Sequence, residues 1–148
     1  MYPDCNGSLR LSAGHVEGYE ASDAVEMKPR TTLQGLLDKA VEAELGGAAP
    51  KQFRCPGRLR GVLESDDAAR VQEVPVCLLY STDTVGGNSG SPVMNADGEL
   101  MGINFDRQRQ GLMNEFKWSK DYSSSIGVDI RYMIWLIGEY KGASLNLG

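Results

Sequence analysis

Lysine and arginine are never clustered in this 148-residue chain, and at 15 against 20 acidic residues they leave a formal net charge of −5. That balance disfavours nucleic acid and anionic membrane surfaces as partners, since both need a basic field. Long apolar runs are missing as well; none approaches the roughly 20 residues that span a bilayer. The first residues, Met1-Tyr2-Pro3-Asp4-Cys5, lack the basic-then-apolar pattern of an export signal, so no signal peptide is expected here. Cysteine is scarce: Cys5, Cys55 and Cys77 have no metal-type spacing, at most one pair can form, and the redox compartment stays open. No metal or organic cofactor is implied. Histidine is scarcest of all. With His15 alone, any chemistry that needs an imidazole base has a single candidate.

What is present is ordinary in bulk and unusual in one place. Hydrophobic content of 41% and charged content of 24% suit a soluble globular protein. The length suits one domain, residues 1–148, burying roughly 68–70% of its unfolded surface. Its organising stretch is residues 82–107, whose first half carries Gly86, Gly87, Asn88, Ser89, Gly90, Ser91 and Pro92. A serine among small residues, then proline and a β-branched residue, suits a tight turn that presents one hydroxyl to a cleft. Glycines that adopt positive φ let successive N–H groups converge, so the amides of Gly87 and Ser89 are candidates for an oxyanion hole beside the Ser89 hydroxyl. A Gly/Ser-rich surface loop is the plainer alternative. A phosphate cradle is poorer, because no lysine follows the glycines.

The surrounding pattern predicts mostly strands. Residues 8–19 alternate loosely and read as one bent strand or two short ones, with Leu9, Leu11, Ala13 and Val16 inward. Residues 22–30 read as a polar connection. A helix is expected from Thr31 or Thr32, with Leu33, Leu36, Leu37, Ala40 and Val41 as its apolar stripe and Gly46-Gly47 ending it. Residues 58–64 fit a short helix or a strand equally. Residues 74–80 read as a strand entering the serine loop, and residues 93–106 as a hairpin turning at Asn95-Ala96-Asp97-Gly98. Residues 108–124 suggest an extended loop with a hairpin. Residues 125–130 suggest a strand, running into an amphipathic helix over 131–141 whose Met133, Ile134, Ile137 and Tyr140 would seal the core.

The turn, the hairpin and the Gly-Ile strand resemble the nucleophile loop of chymotrypsin-like serine peptidases. Longer motifs narrow this. Asp83-x-x-Gly-Gly-Asn-Ser-Gly-Ser-Pro-Val, Gly98-Glu-Leu-x-Gly-x-Asn-Phe-Asp-Arg107 and Val128-Asp-Ile-Arg-Tyr132 resemble the bacterial dipeptidyl-peptidase 7 and 11 family. Ser8-Leu-Arg-Leu, Gly18-Tyr, Asp23-Ala24 and Thr31-Thr-Leu-x-Gly35 extend the likeness over nearly the whole chain. The resemblance implies a mainly β fold, the second barrel of a chymotrypsin-like double β-barrel with one or two helices including a C-terminal one. It implies that the first barrel, the inserted helical domain, and the catalytic His and Asp of the first barrel are absent here. It also implies an exopeptidase that releases dipeptides from oligopeptides with a free N-terminus, in a periplasmic or secreted setting, and allows for homodimeric full-length relatives.

Site residues follow by position. Ser89 is the nucleophile and the Gly87 and Ser89 amides hold the oxyanion. Such an exopeptidase needs a negative group to receive the substrate ammonium, and by resemblance this is Asp106. Arg107 matches the branch preferring Asp or Glu before the cleaved bond, where the hydrophobic-preferring branch carries glycine. The plainer reading of Asp106 and Arg107 is a solvated salt bridge. Asp83, six residues before Ser89, sits where trypsin-like enzymes place the acid of the primary pocket, but a loop-stapling carboxylate is preferred. His15 matches no catalytic part of the family pattern. The sequence therefore supports a peptidase fragment that is inactive in isolation, with a noncatalytic relic, or a small endopeptidase using His15, as alternatives.

Overall fold

A computed structural model describes residues 9–46, 53–66, 68–108 and 124–144. Among the described residues there are seven strands: β1 (Tyr19–Ser22), β2 (Val25–Met27), β3 (Arg30–Thr32), β4 (Pro75–Tyr80), β5 (Pro92–Met94), β6 (Leu100–Arg107) and β7 (Ser125–Asp129). The α-helices are α1 (Leu33–Leu45), α2 (Gly57–Leu63), α3 (Ala68–Gln72) and α4 (Ile130–Trp135), the last continuing as a π-helical turn over Leu136–Tyr140. The mainly β fold with a C-terminal helix agrees with expectation. β3, β4, β7, β6 and β5 lie in that order in one antiparallel sheet, and β1 and β2 form a separate hairpin.

Local chemistry explains the elements that sequence placed well. Thr32 caps α1, its Oγ1 accepting the Gly35 N–H at 3.5 Å. From there Leu33, Leu37 and Ala40 recur at helical spacing and are buried, while Leu36 at the stripe's margin is 40% exposed. Leu33 N–H donates to the Val74 carbonyl at 3.0 Å, tying the helix start to the entry of β4. Residues 58–64, open between helix and strand, lie largely in α2, and α3 was not anticipated. The hairpin turns where expected, with the Asn95 side chain accepting the N–H groups of Asp97 and Glu99.

Three expectations are corrected. Residues 9–18 form no strand; they touch the sheet through one bridge, Val16 to Tyr80, and Leu9 and Leu11 are 86% and 85% exposed. Polar ties fasten this segment instead: Arg10 to the Asp83 carboxylate at 3.0 Å and the Asp83 N–H to Ser12 Oγ at 2.9 Å. The stretch over 22–30 is not a plain connection, because β1 and β2 pair across it about Asp23 and Ala24. At the C-terminal helix the inward residue is Trp135, 5% exposed, whereas Ile134 and Ile137 are 37% and 39% exposed. Met133 is half-buried, and Tyr140 packs at the margin of the core. The helix starts at Ile130, capped by the Asp129 carboxylate on the Arg131 N–H. The π-helical turn that follows brings Tyr140, five residues on, against the Trp135 indole. The expected loop and hairpin over 108–124 fall mostly on 109–123, outside the described residues.

The main core gathers Leu33, Leu37, Leu63, Val71, Val76 and Trp135. Tyr132 and Tyr140 stack on Trp135 with centroids 6.2 and 5.6 Å away. Trp135→Ala is expected to lower unfolding free energy by about 3–5 kcal/mol, the usual cost of deleting a buried aromatic. Urea denaturation of the two chains measures this, and a loss below about 1 kcal/mol would remove Trp135 from the core.

Burial then runs along β4 from this core towards the serine loop. Val76 belongs to the helical core, and Leu78 and Tyr80 follow it as alternate buried positions at 1% and 3% exposure. β6 approaches so closely here that a Cβ on Gly102 would stand 2.3 Å from the Val128 carbonyl oxygen. Only glycine fits that contact.

Candidate active site

The serine loop is two consecutive turns. In the first, the Asn88 N–H donates to the Val85 carbonyl at 3.2 Å; in the second, the Ser91 N–H donates to the Asn88 carbonyl at 3.0 Å. Each turn has a glycine with positive φ, 97° at Gly87 and 89° at Gly90, a conformation costly for any residue with a Cβ. The Asn88 side chain closes the first turn by accepting the Val85 N–H at 2.9 Å. Ser89 stands between the two glycines and is exposed.

Beyond the second turn the loop zips onto β6. Gly90 N–H donates to the Asn104 carbonyl at 2.7 Å, and Asn104 N–H donates to the Ser91 carbonyl at 2.9 Å. One step further, Ser89 Oγ donates to the Phe105 carbonyl at 3.3 Å. The nucleophile candidate therefore sits one residue from Asp106 and two from Arg107.

The pairing of β6 with β7 slips between Asn104 and Asp106. Strict alternation would bury Asp106 along with Gly102 and Asn104, but the slip breaks the alternation, and both Phe105 and Asp106 are exposed. The Asp106 carboxylate accepts the Arg107 N–H at 2.8 Å. Among the described residues no ion pair joins the two side chains, so the plain salt bridge between them is not what the structure has. The half-buried Arg107 reaches the Thr84 carbonyl with Nη1 at 3.4 Å. Ser89, Asp106 and Arg107 are thus brought onto one edge of the loop and β6.

The other limb of the loop is pinned by hydroxyls. Ser125 is fully buried; its Oγ donates to the Thr82 carbonyl at 3.0 Å and shares a hydrogen bond of 2.5 Å with Thr84 Oγ1. Thr84, whose carbonyl receives Arg107, is held in this way to β7. On the inner side Tyr80 donates its hydroxyl to Asn104 Oδ1 at 2.5 Å, and Asn104 Nδ2 donates to the Asn88 carbonyl at 3.2 Å. Burial pushes the Tyr80 phenol well above its usual range, so it remains a donor at any ordinary pH. Sequence reading singled out none of Tyr80, Asn104 or Ser125. A polar signal was available, since a tyrosine and an asparagine at buried strand positions must each find a partner.

His15 is not part of this group. Its backbone N–H donates to Ser81 Oγ at 3.1 Å and its carbonyl accepts the Ser81 N–H at 3.0 Å, but among the described residues its ring makes no hydrogen bond. Asp83 Oδ2 carries Arg10 at 3.0 Å, as a stapling carboxylate would, while its Oδ1 is buried without a hydrogen-bond partner among the described residues. A concavity lined by Gly18, Tyr19, Glu20, Ala24, Val25 and Glu26 includes none of the candidate residues. Among the described residues no group of His, Cys, Asp and Glu could hold a metal, and no helix is long and apolar enough to cross a membrane.

Comparison with known proteins gives a consistent result. The family model for peptidase S46 matches residues 1–147. The chain is 37% identical over 147 residues to the Asp/Glu-specific dipeptidyl-peptidase of Capnocytophaga gingivalis, covering 97% of this chain and 20% of that protein. It is 35% identical over 144 residues to dipeptidyl-peptidase 7 of Phocaeicola vulgatus, covering 95% of this chain and 19% of that one. Among solved structures, Porphyromonas endodontalis DPP11 in complex with the dipeptide Arg-Asp superposes with a TM-score of 0.76 at 32% identity, over 88% of this chain and 19% of that chain. The chain thus spans about a fifth of the length of the relatives it matches.

Proposed function

The chain belongs to the peptidase S46 family, and on that premise we propose that it is the nucleophile-bearing part of a serine dipeptidyl-peptidase that favours Asp or Glu before the cleaved bond. Ser89 attacks the scissile carbonyl, and the N–H groups of Gly87 and Ser89 receive the oxyanion. Asp106 receives the ammonium of the substrate's free N-terminus, and Arg107 pairs with the acidic side chain of the second residue. The histidine base and its carboxylate come from elsewhere, because the His15 ring makes no hydrogen bond to Ser89 or to a carboxylate among the described residues.

The observation that carries this reading is the hydrogen bond from Ser89 Oγ to the Phe105 carbonyl. It holds Ser89 beside the Asp106–Arg107 step of β6, which supports a site where one acid and one cation measure a peptide of two residues. A surface loop would give no reason for an exposed serine, an outward acid and a tethered arginine to converge.

The test uses this chain grafted in place of the matching portion of a full-length Asp/Glu-specific relative. Asp106→Asn is expected to lower kcat/KM about equally for Xaa-Asp, Xaa-Glu and Xaa-Leu dipeptidyl substrates, because the ammonium is common to all three. A loss of about thirty- to several-thousand-fold is expected for removing one partner of a charged pair. N-acetylated substrates should be poor for the parent and unaffected by the substitution. Unchanged cleavage of free-amine substrates would sink the ammonium role.

A further inference from the structure

The hydrogen bonds at Asn88 settle which way one peptide faces. The Asn88 carbonyl accepts both the Ser91 N–H and the Asn104 side-chain amide. In a trans peptide the C=O and the following N–H point in opposite directions. With the Asn88 carbonyl drawn inward to Asn104, which is 5% exposed, the Ser89 N–H is turned outward, to the side where the Ser89 hydroxyl is exposed. Among the described residues that N–H has no hydrogen-bond partner. A carbonyl can only accept, so the NH2 end of Asn104 must face Asn88, and its oxygen is left for Tyr80. Tyr80 is 3% exposed and holds that oxygen at 2.5 Å.

We propose that Asn104, anchored by Tyr80, is a positioning residue that locks the Asn88–Ser89 peptide with its N–H outward and thereby sets one oxyanion donor. The proposal rests on the peptidase reading above and deepens it, naming two buried residues that touch no substrate. Packing alone does not require them, since an apolar pair of similar size would fill the same space. A buried amide-phenol pair fixes orientation as well as volume, and only orientation matters to a peptide that could turn over.

Asn104→Asp is the decisive variant. It is nearly isosteric and keeps an acceptor for Tyr80, but it sets a carboxylate against the Asn88 carbonyl. The two oxygens repel, and the peptide is expected to turn so that the Ser89 N–H donates to the new carboxylate. In 1H–15N spectra of the 148-residue chain, the Ser89 amide should then move downfield and exchange more slowly with water. The Gly90 amide, bonded to the Asn104 carbonyl, should stay protected and so report an intact fold. With the chain grafted in place of the matching portion of a full-length Asp/Glu-specific relative, a dipeptide boronic acid ending in an aspartate analogue, which mimics the tetrahedral intermediate on serine, should bind the variant about a hundredfold more weakly or worse, the usual loss for one oxyanion donor. A Ser89 amide unmoved in shift and exchange, with Gly90 still protected, overturns the proposal. If Asn104→Asp does not fold, Tyr80→Phe decides: it keeps the amide donor but releases its plane, and the Ser89 and Asn88 resonances should broaden. Sharp, unshifted resonances there overturn the proposal as well. A parent graft that fails to bind the boronate counts against the peptidase reading alone, and the amide signals of the 148-residue chain then judge the peptide lock by themselves.

Discussion

Ser89→Ala is expected to lower kcat by roughly a million-fold when this chain replaces the matching portion of a full-length relative, the scale seen when a triad serine is deleted. Without the hydroxyl no acyl-enzyme forms, and the remaining catalysis comes from the oxyanion donors and from binding. KM should move little, because Asp106 and Arg107, which hold the substrate in the proposed site, are untouched. The measurement is release of aminocoumarin from a Leu-Asp substrate, with mass spectrometry to show that the parent captures a fluorophosphonate at Ser89 and the variant does not. Turnover within tenfold of the parent would exclude Ser89 as nucleophile. The isolated chain should be close to inert in the same assay. Ser89-dependent turnover by the isolated chain, lost in His15→Ala, would instead promote the small-endopeptidase alternative.

The second large effect concerns the residue before the cleaved bond. Arg107→Gly should shift the kcat/KM ratio of Xaa-Asp over Xaa-Leu towards leucine by about thirty- to several-thousand-fold, equivalent to about 2–5 kcal/mol for losing one side of a desolvated charge pair. Arg107 is suited to this because it is half-buried and steadied at the Thr84 carbonyl. A guanidinium held in that way pairs bidentately with a carboxylate but gains nothing from an apolar side chain. The trypsin-like alternative predicts instead that Asp83→Ser abolishes cleavage after Lys or Arg. With Asp83 already carrying Arg10, Asp83→Ser is expected to loosen residues 10–12 and leave the Asp-to-Leu ratio where it was. Matched Xaa-Asp, Xaa-Leu and Xaa-Lys substrates separate the two readings, and an unchanged ratio in Arg107→Gly ends the specificity claim.

Much of the site could be read from residues because its geometry is local. The two turns around Ser89 depend on Gly87 and Gly90, each within two residues of the serine, and positive φ is nearly a glycine property. The cap at Thr32, the stripe of α1 and the Asn95 turn are equally short-range, closed over two to four residues. Asp106 and Arg107 are candidates through a long motif and not through any local rule.

What escaped the sequence depends on contacts between distant residues. Leu9 and Leu11 alternate like a strand, yet among the described residues no neighbour offers them a ladder, and a salt bridge spanning 73 positions lays that segment along the loop. Periodicity favoured Ile134 and Ile137 over Trp135, because nothing in the period foretells two tyrosines closing over the indole. The outward face of Asp106 comes from a register slip against β7. Tyr80 and Asn104 lie 24 residues apart and become partners only when β4 and β6 flank β7 and water is removed from between them. A turn's dihedral angles are a property of its own residues. A buried polar partnership is a property of desolvation, and desolvation exists only once the chain has packed.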